Sequence, residues 1–166
     1  MGKVAFITGI NGMDGSHLSE LLIEKGYEVH GLIRRTSNPL HENIKHLVDK
    51  IILHPGDMTD SGSIRAAIKS CMPDEIYNLA GMSQVRWSFD VPVMTMDVNC
   101  MGLVRIIEAV RGINLDAKIY QACSSEMFGK VQETPQTETT PFYPRSPYGV
   151  SKAAAYYMAR VYRESY

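Results

Sequence analysis

In the segment SPYGVSK, Tyr148 and Lys152 stand four residues apart, with Ser146 and Pro147 just ahead of them. On a helix that spacing puts both side chains on one face. Ser146 suits the N-cap and Pro147 the first helical position, which would fix where the helix starts and so fix Tyr148. A phenol is a poor base, but nearby positive charge favours the phenolate, so a lysine one turn on equips a tyrosine to move a hydroxyl proton. Tyr156 and Tyr157 on the same stretch read as packing residues. Upstream, QACSSEMFG offers Ser124, Ser125 and Glu126. The serines can hydrogen-bond a reacting hydroxyl or cap a helix. Glu126 reads either as a base for a proton alpha to a carbonyl or as an exposed loop acid.

A second set lies at the other end of the chain. ITGINGMDGSH places Gly9, Gly12 and Gly15 after an apolar run and before a helical one. Such glycines permit a tight turn and close backbone approach, and a helix N-terminus offers N–H groups to a pyrophosphate. Gly9, Ile10, Asn11, Gly12, Met13, Asp14 and Gly15 are therefore expected to hold a dinucleotide. After the second apolar run stand Arg34, Arg35, Thr36 and Ser37. An acid there would select NAD; two arginines and two hydroxyls suit a 2'-phosphate and favour NADP, the other reading being a solvated basic pair. Asp57 in HPGDMTD can accept from an adenine amino group while Met58 packs on the ring, or Asp57 can cap the next helix. Leu79, Ala80, Gly81, Met82 and Ser83, in NLAGMS, let backbone lie close to the cofactor or make a simple turn. Tyr148 and Lys152 complete the cofactor contacts. No metal site is expected.

These residues need a scaffold, and the pattern supplies one. Strands KVAFIT, YEVHGLI, KIILHPG, EIYNLA and AKIYQAC alternate with helical stretches, the signature of a doubly wound parallel sheet, an α/β Rossmann fold. DGSHLSELLIEK is expected to put Leu18, Leu21 and Leu22 on one face and to end at Gly26. DSGSIRAAIKSCM and VNCMGLVRIIEAVRG repeat that pattern. The long irregular segment GKVQETPQTETTPFYPRSP leads into the Tyr148 helix and is read as covering a site.

The chain has 166 residues, 45% of them hydrophobic, enough for one core. Its 17 basic and 18 acidic side chains nearly cancel, which favours neither nucleic acid nor a membrane surface as partner. Cys71, Cys100 and Cys123 are odd in number and widely spaced, so they are expected to be reduced and mostly buried, as in a cytoplasmic protein. No run approaches a signal peptide or membrane span.

Together these residues resemble the extended short-chain dehydrogenase/reductases and, within them, the N-terminal part of the GDP-mannose 4,6-dehydratase family. ITGINGMDGSHLSELLIEKGYEVHGLIRRTSN, GDMTD, NLAGMSQV, SSEMFGKVQETP and TPFYPRSPYGVSK carry the resemblance along the whole chain. It implies an NADP-dependent conversion of GDP-D-mannose to GDP-4-dehydro-6-deoxy-D-mannose and water, on the way to GDP-fucose and related deoxysugars. Tyr148 would take the C4 hydroxyl proton as hydride passes to NADP, and Lys152 would hold the ribose and support the tyrosinate. Glu126 would remove the C5 proton, water would leave from C6, and hydride would return there. Ser124 stands where the family usually has threonine, and Cys123 where it usually has serine. The resemblance also implies that residues 1–166 form the NADP-binding domain, with the sugar-nucleotide domain absent from this chain. It further implies homodimers or homotetramers, with VPVMTMDVNCMGLVRIIEAV and SPYGVSKAAAYYMARVYRESY as the dimer face and the Arg34–Arg35 loop reaching a neighbour's cofactor. Two other readings stand beside it: a nucleotide-sugar epimerase or 4-ketoreductase, which needs Tyr148 and Lys152 but not Glu126, and a module that binds NADP without catalysis.

Overall fold

The computed structural model describes residues 2–36 and 42–166, so Ser37, one of the expected phosphate contacts, lies outside the described residues. The chain divides into two compact units.

Unit 1 comprises Met1–Ala80 and Arg105–Ala122. Its strands are β1 (Val4–Thr8), β2 (Glu28–Ile33), β3 (Ile51–Pro55), β4 (Glu75–Asn78) and β5 (Lys118–Gln121), all parallel in the order β3-β2-β1-β4-β5. Each expected strand forms, shortened by one to three residues. The order reverses at β1, and in open parallel sheets that switch point is where ligands bind.

Strand residues alternate between the two sheet faces. On one face Ala5, Ile7, Val29 and Ile51 pack with Leu22 of α1 (Met13–Glu24) and with Ile44 and Leu47 of a 3-10 turn. The opposite face carries Phe6, His30 and His54, under α2 (Ser61–Cys71), which buries Ile64, Ala67 and Ile68. Leu18 and Leu22 turn inward as expected, but Leu21 is 47% exposed. It lies on the far edge of the stripe, beyond the reach of the sheet. α1 ends on Gly26, whose φ of 80° is costly for any residue with a β-carbon. The Gly26 and Tyr27 N–H groups donate to the Ile23 and Leu22 carbonyls, closing a Schellman cap.

Unit 2 comprises Gly81–Val104 and Cys123–Tyr166. It contains α3 (Val85–Ser88), α4 (Pro92–Met96), a π-helical turn over Asp97–Met101, a 3-10 turn over Ser125–Met127, and α6 (Pro147–Ser165); of α5 (Gly102–Gly112), which follows the π turn, the residues from Arg105 on belong to unit 1. α6 packs on α4, the π turn and the 3-10 turn. The proline-rich segment before α6 is irregular yet anchored. Phe142 sets its ring edge-on against Phe128 and Tyr156, each at 5.1 Å, and Lys130 N–H donates to the Tyr143 carbonyl at 2.9 Å. Tyr156 and Tyr157 are thus packing residues of this cluster.

None of the three cysteines is disulfide-bonded. Cys100 is buried and Cys71 half-buried, but Cys123, expected inside, is exposed, because the chain has left the sheet there. Among the described residues no helix is long and apolar enough to cross a membrane.

Candidate active site

In unit 1 the turn after β1 is built by close approach. Gly9 has φ of 71°, and a β-carbon there would meet Ala80 N at 2.8 Å. A β-carbon on Gly15 would meet the Gly9 carbonyl oxygen at 2.4 Å, so α1 can start against the strand only with glycine at this position. Gly12 is the N-cap; its N–H donates to Gly9 O at 2.9 Å, and no side chain caps the helix. The opening N–H groups of α1 therefore have neither an intrahelical acceptor nor a side-chain cap. Asn11, Met13 and Asp14 are exposed around this turn, whereas Ile10 is wholly buried and acts as its anchor.

A buried polar row supports the same end of the sheet. The Thr8 hydroxyl donates to Asn78 Oδ1 at 2.6 Å, and Asn78 Nδ2 donates to Gln121 Oε1 at 2.6 Å. Thr8 Oγ1 also accepts from Ala80 N–H at 3.2 Å, and Leu79 N–H donates to the Thr8 carbonyl at 3.2 Å. Sequence reasoning missed this row; a threonine, an asparagine and a glutamine at the ends of three neighbouring strands were its signal.

Arg34, Arg35 and Thr36 follow β2 and are exposed. Partial burial pushes the Asp57 carboxyl up, but hydrogen bonds from the Thr59 N–H and hydroxyl, at 2.9 and 2.7 Å, together with the Arg34 charge, outweigh it and hold Asp57 below the ordinary carboxylate value. Asp57 does not cap α2. Asp60 does, accepting from Gly62 and Ser63 N–H. Met58 is only 5% exposed, which leaves little thioether surface to lie on a ring, and its carbonyl accepts from Arg105 at 3.0 Å.

Unit 2 gathers the groups suited to proton transfer. Ser146 caps α6, its hydroxyl accepting from Gly149 N–H at 3.0 Å, with Pro147 in the first turn, as the sequence predicts. Tyr148 and Lys152 are 8% and 6% exposed, and the Lys152 ammonium lies 5.9 Å from the centre of the Tyr148 ring. Burial pushes Lys152 below the ordinary lysine value, partly opposed by neighbouring Cys123. Ser124 caps the 3-10 turn, accepting from Glu126 N–H at 3.2 Å, so the capping reading holds for it. Ser125 is exposed and Glu126 half-buried. A β-carbon on Gly149 would meet the Glu126 carbonyl oxygen at 2.5 Å, which brings the Glu126 backbone against the first turn of α6.

Asn99, in the π turn, joins these parts and is a second residue that sequence reasoning missed. It is 1% exposed; its Oδ1 accepts from Met82 N–H at 2.8 Å, and its Nδ2 donates to the Ser151 hydroxyl at 2.9 Å. Ser151 donates in turn to the Tyr148 carbonyl at 2.7 Å. Gly81 sits beside the same group, since a β-carbon there would lie 3.1 Å from Asn99 Oδ1 and 3.7 Å from the Lys152 ammonium. Ser83 is exposed. An asparagine inside an otherwise apolar helix was the available signal, because a buried amide there must find partners.

Residues 6–166 match the family described as GDP-mannose 4,6 dehydratase. The chain is 50% identical to GDP-mannose 4,6-dehydratase of Vibrio cholerae, over 100% of this chain and 47% of that protein. It is 51% identical to GDP-mannose 4,6 dehydratase 1 of Arabidopsis thaliana, over 99% of this chain and 48% of that protein. The human GDP-mannose 4,6 dehydratase is 49% identical, over 100% and 48% respectively. Among solved structures, UDP-glucose 4-epimerase of Thermus thermophilus in complex with NAD superposes with a TM-score of 0.84 at 29% identity, covering 98% of this chain and 51% of that one. The chain thus spans about half the length of the curated relatives it matches. On this match and this fold, the chain belongs to the GDP-mannose 4,6-dehydratase family.

Proposed function

We propose that residues 1–166 are the NADP-binding domain of an enzyme that removes water from GDP-mannose, giving GDP-4-dehydro-6-deoxy-D-mannose for deoxysugar synthesis. The carrying observation is the backbone contact between Glu126 and the Tyr148 turn of α6, which brings together a candidate base for a carbon acid and a candidate acid–base for a hydroxyl. The Gly9/Gly12/Gly15 turn, which β-carbons would fill, fits a pyrophosphate. Arg34, Arg35 and Thr36 fit a 2'-phosphate, Asp57 an adenine amino group, and Leu79, Ala80, Gly81, Met82 and Ser83 a close backbone approach.

Bound NADP supplies the acceptor for the C4 hydride and its return to C6. Tyr148 holds and moves the proton of the C4 hydroxyl, with Ser124 or Ser125 hydrogen-bonding the same oxygen. Lys152 favours the tyrosinate and binds the ribose. Glu126 takes the proton from C5, made acidic by a C4 ketone, so that the C6 hydroxyl leaves as water.

A second reading, a nucleotide-sugar epimerase or 4-ketoreductase, is supported by the likeness to a UDP-glucose 4-epimerase and needs Tyr148 and Lys152 but not Glu126. A homodimer is supported by apolar side chains left exposed on α4, the π turn and α6 of unit 2: Val93, Met94, Met101, Val150, Tyr157 and Val161.

Calorimetric titration with NADP and NAD, repeated with GDP-mannose present, tests the proposal. NADP binding at least ~10-fold tighter than NAD is expected. Equal affinities would remove the NADP reading, and NADP binding with no response to GDP-mannose would leave cofactor binding alone.

A further inference from the structure

The face of the unit 1 sheet under α2 holds a group of side chains that the dehydratase reading does not use. His30 on β2 and His54 on β3 stack with ring centres 5.1 Å apart and an interplanar angle of 21°. His30 Nδ1 lies 2.8 Å from His54 Nε2. One ligand-capable atom each from His30, His54 and Cys71, at the end of α2, all fall within 4.8 Å of one another. His30 is only 4% exposed, on a sheet face whose other residues are largely apolar, while His54 and Cys71 are half-buried.

From this geometry we propose that His30, His54 and Cys71 form a binding site for a zinc-like divalent cation, clipping β2, β3 and α2 together. Two nitrogens and a thiolate are a donor set for borderline to soft first-row metals, and zinc takes three protein ligands with water in the fourth place.

The surrounding hydrogen bonds prepare these atoms. Glu28 Oε1 lies 2.7 Å from His30 Nε2 and accepts a hydrogen bond from its N–H, which leaves His30 Nδ1 with its lone pair facing His54. Carboxylate support of a ligating histidine through its other ring nitrogen is the usual outer arrangement at metal sites. Without metal, His54 Nε2–H donates to His30 Nδ1 and Ser70 Oγ lies 3.4 Å from His54 Nδ1. On binding, the His54 proton moves to Nδ1, where Ser70 Oγ can accept it, and Nε2 becomes a ligand. Cys71 loses its thiol proton to solvent, so one proton is released per ion. The thiol now donates to the Ala67 carbonyl at 3.2 Å, an acceptor already served within the helix, so its loss orphans nothing. At zinc–nitrogen distances of ~2.0–2.1 Å in a tetrahedron, the two nitrogens must part to roughly 3.3 Å, a shift within reach of side-chain rotation.

Dialysed protein titrated with Zn²⁺ by calorimetry, and with Co²⁺ by absorbance, tests this. One Zn²⁺ per chain, a thiolate-to-Co²⁺ charge-transfer band and a rise in Tm with Zn²⁺ are expected. Cys71→Ser and His54→Gln should each remove the band or weaken binding at least ~10-fold, and Glu28→Gln should weaken it ~10-fold, as loss of an outer-shell partner does. Cys71→Ser tested with EDTA should unfold as the parent does, which separates lost binding from lost fold. Cys123→Ser and His46→Ala should change nothing. No stoichiometric binding, binding unaltered by Cys71→Ser and His54→Gln, or binding lost with His46→Ala would overturn the proposal; the last would move the ion to the exposed His17, Glu20 and His46 group.

Discussion

Gly149 packs on Glu126 so closely that a β-carbon would stand 2.5 Å from the Glu126 carbonyl oxygen and 3.3 Å from its carbonyl carbon. Because Gly149 directly follows Tyr148, this contact fixes the spacing between the proposed C4 and C5 proton acceptors. The two Glu126 atoms are backbone, which cannot swing aside, and the third neighbour is the Pro144 ring at 3.1 Å. Gly149→Ala should therefore cost ~1–3 kcal/mol of stability, as overpacking does, and should lower turnover at least ~10-fold while leaving NADP affinity near the parent's. Thermal unfolding, cofactor titration and initial rates on one preparation check all three.

Asn99 ties the π turn to Met82 and, through Ser151, to the Tyr148 carbonyl. Asn99→Ala leaves the half-buried Met82 N–H without its acceptor, which costs ~1–2 kcal/mol. The expected result is a lower Tm, with more hydrogen exchange at Met82 than in the parent. Asn99→Asp keeps the acceptor and should protect Met82 better than the alanine variant.

Lys152 is a buried cation whose native pKa lies below its ordinary value of 10.5, chiefly through burial. Between those two values the folded state binds fewer protons than the unfolded one. Stability therefore rises with pH through that interval, and the penalty stands in full below it. Lys152→Met removes the charge while filling similar volume. It should match or exceed the parent's Tm at neutral pH, flatten the alkaline rise, and lower turnover ~10²–10⁴-fold. Unfolding curves across the alkaline range, paired with rates at pH 7, test the trade between stability and chemistry.

What the sequence disclosed follows from the range of each interaction. The five strands, the capped start of α6 and the Gly9 turn rest on local pattern, so they could be read from neighbouring residues. Leu21 and Cys123 were misplaced because burial depends on what lies across from a side chain, which spacing alone does not tell. The Asp57 and Asp60 assignment turned on three residues of loop, where either carboxylate could serve as cap. Asn99 and the Thr8, Asn78 and Gln121 row escaped because their partners lie 17 to 72 residues away. Likewise the His30, His54 and Cys71 group spreads over two strands and a helix, with no short motif to announce it.

The role proposed for Glu126 is what distinguishes dehydration from simple oxidation at C4, so its removal is the most direct test. Protein loaded with NADP is mixed with GDP-mannose, and both nucleotide-sugar mass and NADPH absorbance are followed for the parent and for Glu126→Gln. The parent should yield product lighter by one water with no lasting NADPH signal. The variant, still able to move the C4 proton through Tyr148, should build up NADPH absorbance while water loss falls at least ~10²-fold. Water loss at the parental rate in Glu126→Gln would contradict the dehydratase reading.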